Sequence, residues 1–195
     1  NRRHCLNEFD NCISDCLVTP TKPLMTAPLT ILVTQTEALD AETRAAIIQL
    51  CISAHDEPDF QNMFTYMPTG GRHFLAYHAR KLVCHAVVTT RWLQVADQPL
   101  LKTAYVDAVA TLPASQGLGY GSSLMRKLGQ EIDDYAIACL ETDIPEFYTR
   151  LGWEEWRGPL AGRSKDGLIP TPGQTGIMVL RLSRTPALDL DLSLS

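Results

Sequence analysis

The sequence predicts an α/β (α+β) fold, a single domain with a mixed central sheet and helices on both faces, on three observations. An apolar, strand-like segment from Leu101 to Leu112 runs into a glycine turn at 117–121 that opens an amphipathic helix. The run Ala136-Ile-Ala-Cys-Leu140 follows with the pattern of a strand buried on both faces, and strand, helix and strand in that order imply a right-handed parallel crossover. Ahead of them, Arg72–His78 and Leu82–Thr89 flank the turn Ala79-Arg80 as a hairpin.

Taken in order, Leu29–Thr34 reads as a first strand after Pro20, Pro23 and Pro28. Asp40 caps a helix whose apolar positions Ala46, Ile47, Leu50, Cys51 and Ala54 recur at helical spacing, giving one buried face. The acidic, aromatic stretch from Asp56 to Met67 is broken by Pro58, with Pro68 just after it, and suits a loop or short helix bordering a cleft. The second hairpin strand continues toward Val95. After the glycine turn, Leu124, Leu128, Ile132 and Tyr135 share one face, with Arg126, Lys127, Gln130 and Asp134 largely opposite. Pro145 opens a short helix through Leu151, Gly152 ends it, and strands are expected at Glu154–Trp156 and Gly176–Leu182. The organisation is an extension over 1–28, a domain over 29–183 and an Asp/Leu/Ser tail over 184–195.

Composition narrows the function. A chain of 195 residues, 45% hydrophobic, supports one sizeable core. A formal net charge of −5 argues against a nucleic-acid partner and suits a cationic one. No apolar run reaches the roughly 18 residues of a membrane span, and the N-terminus lacks a signal-peptide core. A soluble, cytoplasmic protein without a membrane partner is the expectation. Cys51, Cys84 and Cys139 sit in apolar patterns as small hydrophobes. Cys5, Cys12 and Cys16 lie near His4 without a paired C-x-x-C or a second ligand cluster, so no metal is expected. His73, His78 and His85 alternate with apolar residues on the hairpin and read as structural.

The glycine turn carries the chemistry. Gly117, Gly119 and Gly121 allow close backbone approach, and the helix start leaves N–H groups unpaired at the positive end of the dipole. Such a mouth suits a pyrophosphate resting on the backbone from Gln116 through Gly117, Leu118, Gly119, Tyr120 and Gly121 to Ser122. The spacing is not the G-x-G-x-x-G of a dinucleotide fold, and no Gly-Lys-Ser/Thr of a P-loop follows.

The spacing Gln116-x-x-Gly119-x-Gly121 resembles the acetyl-CoA loop of the GCN5-related N-acetyltransferase (GNAT) superfamily, and Glu146-Phe-Tyr-Thr-Arg-Leu-Gly-Trp153 resembles its segment beside the coenzyme. The resemblance implies acetyl-CoA as cosubstrate, a central strand splayed from its parallel neighbour, and a bulge there. Backbone donors around Val109, Ala110 and Thr111 would then polarise the thioester. From about Leu39 to Leu182 the chain is similar to the aminoglycoside 2'-N-acetyltransferases. Tyr105-Val-Asp-Ala-Val-Ala-Thr111, Asp59-Phe60, the Gly-Gly-x-His run at 70–73, and Gly152-Trp-Glu-Glu-Trp-Arg-Gly-Pro159 carry that similarity. It implies a cationic aminosugar substrate, resistance to such an antibiotic, and a homodimer. Asp107 stands for a longer glutamate, which draws the carboxylate back by about one methylene, and two further departures fall on substrate-binding regions: Pro172-Gly-Gln-Thr175 stands for an acidic cluster and the Leu/Asp/Ser tail for an aromatic one. A smaller aminosugar such as kasugamycin therefore enters the substrate class.

Acetyl transfer needs a neutral amine and a stabilised leaving thiolate. Asp107 is the candidate general base, directly or through water; a solvated strand residue or an electrostatic contact is its alternative role. Tyr148 is the candidate general acid, with core packing as the alternative. Asp59, Asp107, Asp189 and Asp191 are placed as contacts for substrate ammonium groups, beside the backbone at Ala108, although the tail aspartates equally suit a solvated end. Trp156 and Trp92 wall the substrate cleft or pack in the core. A GNAT enzyme for another small amine or a protein N-terminus, and a non-catalytic acetyl-CoA sensor, are the competing readings.

Overall fold

The computed structural model describes residues 27–195; residues 1–26 of the extension expected over 1–28, with its three cysteines, lie outside the described residues. Strand β1 (Thr30–Gln35) leads through a short 3-10 turn to α1 (Ala41–His55), where the Asp40 carboxylate accepts the Thr43 N–H as expected of an N-cap. Ile47, Leu50 and Cys51 form its buried face; Ala46 is exposed instead, one position off the stripe. The stretch after α1 is a 3-10 turn at Pro58–Asn62 and a single helical turn, α2 (Met63–Tyr66).

Strands β2 (Arg72–His78) and β3 (Lys81–Leu93) form the expected hairpin, closed by Ala79 and Arg80 with φ of 47° and 67°. Strand β4 (Leu101–Thr111) lies beside β3, and α3 (Tyr120–Gln130) returns the chain to β5 (Ile137–Glu141), parallel to β4. Helix α4 (Pro145–Thr149) and strands β6 (Glu154–Glu155), β7 (Ala161–Ser164), β8 (Gly167–Pro170) and β9 (Ile177–Arg181) complete the chain. The main sheet runs β1-β2-β3-β4-β5-β9-β6, with β7-β8 apart as a two-stranded ribbon. That ribbon has no counterpart in the sequence reading, because its strands are only four residues each, Ala-Gly-Arg-Ser and Gly-Leu-Ile-Pro, and lack an apolar alternation.

Helices cover both faces. On one, Leu124, Leu128 and Ile132 meet Phe74, Val88 and Val106; on the other, Ile47, Leu50 and Met63 meet Leu75, Val87 and Ala108. Each such side chain contributes about 1.5–3 kcal/mol by leaving water. A third cluster gathers Val95, Leu101, Trp156 and Val179 around Leu190 and Leu194. The tail is therefore docked, with the Ser195 carbonyl accepting the Gln94 N–H. Its alternating leucines supply the contact, rather than a solvated end.

Two irregularities of β4 set up a cleft. The parallel pairing with β5 holds only at Thr103–Ile137, Ala104–Ala138 and Tyr105–Cys139, after which the strands part. Two residues further, the register with β3 slips: Val87 faces Asp107 and His85 faces Ala110, so Ala108 and Val109 stand opposite one residue. Such a bulge reverses which side chains face which side. Ala108 adopts φ 48° and packs with the α1 cluster, whereas Val109 packs with the α3 cluster.

Candidate active site

The glycine turn is the backbone half of the cleft. Gly117 and Gly119 have φ of 76° and 80°, a left-handed conformation that costs any other residue about 1–2 kcal/mol. Gly119 is the N-cap of α3 and offers no side chain. Ser123 N–H bonds the Gly119 carbonyl as the first helical bond, which leaves the amides ahead of it turned toward solvent. A cavity of about 600 Å³ opens at this mouth, lined by Val109, Thr111, Gln116, Gly117, Gly119, Tyr120, Gly121 and Ser122. Arg126, Arg150, Phe147 and Tyr148 line it as well. Uncapped amides flanked by two guanidiniums fit a diphosphate. Leu118, whose side chain is 62% exposed, and Ala110, buried under α1, are not among the residues lining this cavity.

The side-chain half lies across the bulge. Its cavity, about 480 Å³, is lined by His55, Phe60, Tyr105, Asp107, Ala108, Glu141, Thr142 and Asp143. Val109, Tyr148, His55 and Ile144 border both cavities, so the two form one cleft through the gap between β4 and β5. The Asp107 carboxylate accepts the Ala108 N–H at 2.8 Å and lies 4.0 Å from Arg91, whose guanidinium stacks 3.4 Å from the Tyr105 ring centroid. Glu141 accepts from Gln174 at 2.8 Å.

Tyr148 is buried and stacks edge-on against Phe147 and Trp153. Burial pushes its phenol up to about 12, with the Thr142 hydroxyl pulling back. It keeps its proton throughout the neutral range.

Trp156 does not wall the cleft. It is buried in the third cluster, and its indole N–H donates to the Leu192 carbonyl at 2.9 Å. Asp191 forms a forked pair with Arg157 at 2.6 and 3.0 Å, and Asp189 accepts the Asp191 N–H. Neither lines the cleft, and Asp59 lies on the 3-10 turn beside Phe60 rather than in its lining. Trp92, 57% exposed, lies outside it too. Sequence reasoning missed His55, Glu141, Asp143 and Arg150. The available signal was positional: Glu141 ends, and Asp143 closely follows, a strand parallel to the one carrying Asp107, at the carboxyl ends where open sheets bind ligands.

The family model of the acetyltransferase (GNAT) domain matches residues 34–156. Among solved structures, the ribosomal-protein-S18-alanine N-acetyltransferase of Escherichia coli is 19% identical over 82% of this chain and 97% of its own, with a TM-score of 0.54. Escherichia coli ElaA is 16% identical over 79% of this chain and all of its own, at 0.53. A protein of Enterococcus faecalis V583 named as a probable N-acyltransferase is 18% identical over 65% of this chain, at 0.52, and this chain spans about a third of its length (32%). These likenesses show a shared overall fold, and the chain belongs to the GNAT acetyltransferase domain family.

Proposed function

We propose that the chain transfers the acetyl group of acetyl-CoA to an amino group of an aminoglycoside or related aminosugar antibiotic, at the 2'-amine or on a kasugamycin-like scaffold, and so confers resistance. The observation that carries the cationic acceptor is the side-chain half of the cleft, where Asp107, Glu141 and Asp143 converge beside Phe60 and Tyr105. Three carboxylates favour a substrate with several ammonium groups, and two aromatic faces suit a sugar ring.

Acetyl-CoA supplies an acyl group activated as a thioester. The α3 mouth, with Arg126 and Arg150, holds its diphosphate, and the bulged Val109 N–H faces the acyl carbonyl oxygen. Asp107 takes one proton from the incoming ammonium, directly or through water; the amine nitrogen bonds the acyl carbon as the carbon–sulfur bond breaks, and the second proton that the nitrogen sheds passes to the departing CoA sulfur, which leaves as the thiol. Tyr148 meets the departing sulfur. With its phenol at about 12, well above the ~8.5 of an ordinary thiol, full proton transfer is uphill. Hydrogen-bond donation to the thiolate is the role it performs best.

The test is release of free CoA from acetyl-CoA in a panel of 4,6-disubstituted aminoglycosides and kasugamycin, with mass spectrometry locating the acetyl group. Turnover of at least one aminosugar is expected. Inactivity across the panel with turnover of a polyamine or a peptide N-terminus would replace the substrate class. A chain that binds acetyl-CoA and acetylates no amine would be a sensor. Light scattering tests the accompanying proposal that it is a homodimer.

A further inference from the structure

Two histidines lie fully buried beneath the bulge, outside the chemistry above. They form an unbroken chain: Thr36 Oγ1 is 3.1 Å from His73 Nε2, His73 Nδ1 is 2.9 Å from His85 Nε2, and His85 Nδ1 is 2.9 Å from the Ala108 carbonyl oxygen. Burial holds both rings neutral, His73 down to about 4 and His85 to about 3, so each carries a single N–H. The Ala108 carbonyl only accepts, which puts the His85 proton on Nδ1 and leaves Nε2 an acceptor. His73 then donates from Nδ1, and its Nε2 accepts the Thr36 hydroxyl.

The opposite arrangement is disfavoured. Thr36 Oγ1 is also 3.1 Å from the Gly71 carbonyl oxygen, which accepts the Thr36 N–H at 2.8 Å and has a second lone pair, so the hydroxyl has two acceptors in reach and the far end of the chain decides between them. Turning the hydroxyl there would reverse every proton and set two acceptors, His85 Nδ1 and the Ala108 oxygen, against each other. The Cys51 sulfur, 3.8 Å from the same nitrogen, is a weak donor at long range beside the 2.9 Å contact to the Ala108 oxygen. A Cβ at Gly71 would stand 2.6 Å from Thr36 Oγ1. The Gly-Gly-x-His run therefore supplies both a ring and the space for the hydroxyl that orients it.

We infer that Thr36, His73 and His85 are positioning residues for acetyl transfer: by holding the Ala108 carbonyl, His85 aims the Val109 N–H into the cleft, and the outer two fix its tautomer. This rests on the acetyltransfer reading above. The Ala108 carbonyl and the Val109 N–H belong to one trans peptide unit and point in opposite directions. Anchoring the oxygen in the core sends the N–H the other way, at a residue that has no registered partner on β3 and borders both cavities. Ala108 also occupies a left-handed conformation, which a non-glycine residue keeps only where its neighbours hold it.

Two substitutions separate aiming from packing. In His85→Asn the amide NH2 stands where Nδ1 stood; in His85→Gln it reaches the place of Nε2. The Asn variant should keep kcat within about threefold while the Gln variant loses about a hundredfold, with KM for acetyl-CoA little changed in both. A packing role predicts the reverse, because glutamine fills more of the space. Thr36→Val, the mildest change, should lower kcat about fivefold; an unchanged rate would overturn the outer half of the chain. Nitrogen-15 NMR of the unliganded protein should show Nδ1–H tautomers at both histidines, and an Nε2–H ring at either would overturn the chain whatever the activity. Nδ1–H tautomers in a wild-type protein that acetylates no amine would overturn the acetyltransfer reading instead.

Discussion

The two halves of the cleft are built from different material. The coenzyme half is mostly backbone: a helix mouth left uncapped by Gly119 and a bulged strand. The acceptor half is side chains, with Asp107, Glu141 and Asp143 set among His55, Phe60 and Tyr105. Backbone donors recognise a diphosphate wherever the local fold recurs, so they transmit an activity shared by a family. Side chains drawn from α1, a 3-10 turn, β4 and β5 change independently, so on the proposed reading they would set which amine is accepted. Tyr148 borders both halves and is the point where they meet.

Tyr148→Phe should break the joint and have the largest effect, lowering turnover about a hundredfold while acetyl-CoA affinity measured by calorimetry stays within about twofold. Unchanged turnover would remove the phenol from the chemistry. Gly119→Ala should damage the coenzyme half alone. The strain of φ 80° should weaken acetyl-CoA binding about tenfold, with the acceptor KM unmoved. Asp107→Asn addresses the other half: a fall of about tenfold in kcat/KM for the aminosugar, carried by KM, would make it an electrostatic contact, and one carried by kcat would make it the base.

Trp156→Ala sharpens the contrast from outside the cleft. It should cost about 3–5 kcal/mol of stability and leave both KM values unchanged in the fraction that folds, since the indole packs against the tail rather than the substrate. A selective rise in the acceptor KM would return Trp156 to the cleft.

The buried histidines yield a smaller, pH-dependent effect. Burial depresses both from an ordinary 6.5, helped at His73 by Arg44 and opposed by Glu37. The unfolded chain binds more protons once pH falls below 6.5, so their contribution is fully present above that value and lost as pH drops toward about 4 and about 3. The thermal midpoint should fall through this window, and less steeply in His73→Asn. Equal slopes would place the acid sensitivity elsewhere.

Much of the backbone half is legible in the sequence because its signals are local. The alternation of β4, glycines at 117, 119 and 121, and the α3 apolar face lie within one continuous stretch. The acceptor half depends on tertiary placement. Glu141 and Asp143 become site residues only because β5 leaves β4 after Tyr105, and His55 only because α1 ends over the gap. The paired tryptophans are the converse case. Trp156 reads as a wall of the cleft or as core, and it packs beneath the tail, while Trp153 packs on Tyr148. The tail's alternating leucines read as a solvated end because their partners, Val95 and Leu101, are distant in sequence.

The central claim is that backbone amides at the mouth of α3 hold the coenzyme diphosphate beside the β4 bulge. Titration of the amide NMR spectrum with acetyl-CoA tests it most directly. The account predicts shifts concentrated at Gly117–Ser122 and at Val109, with the β7-β8 ribbon and the tail silent; saturation without shifts at the α3 mouth, or no binding at all, would contradict it.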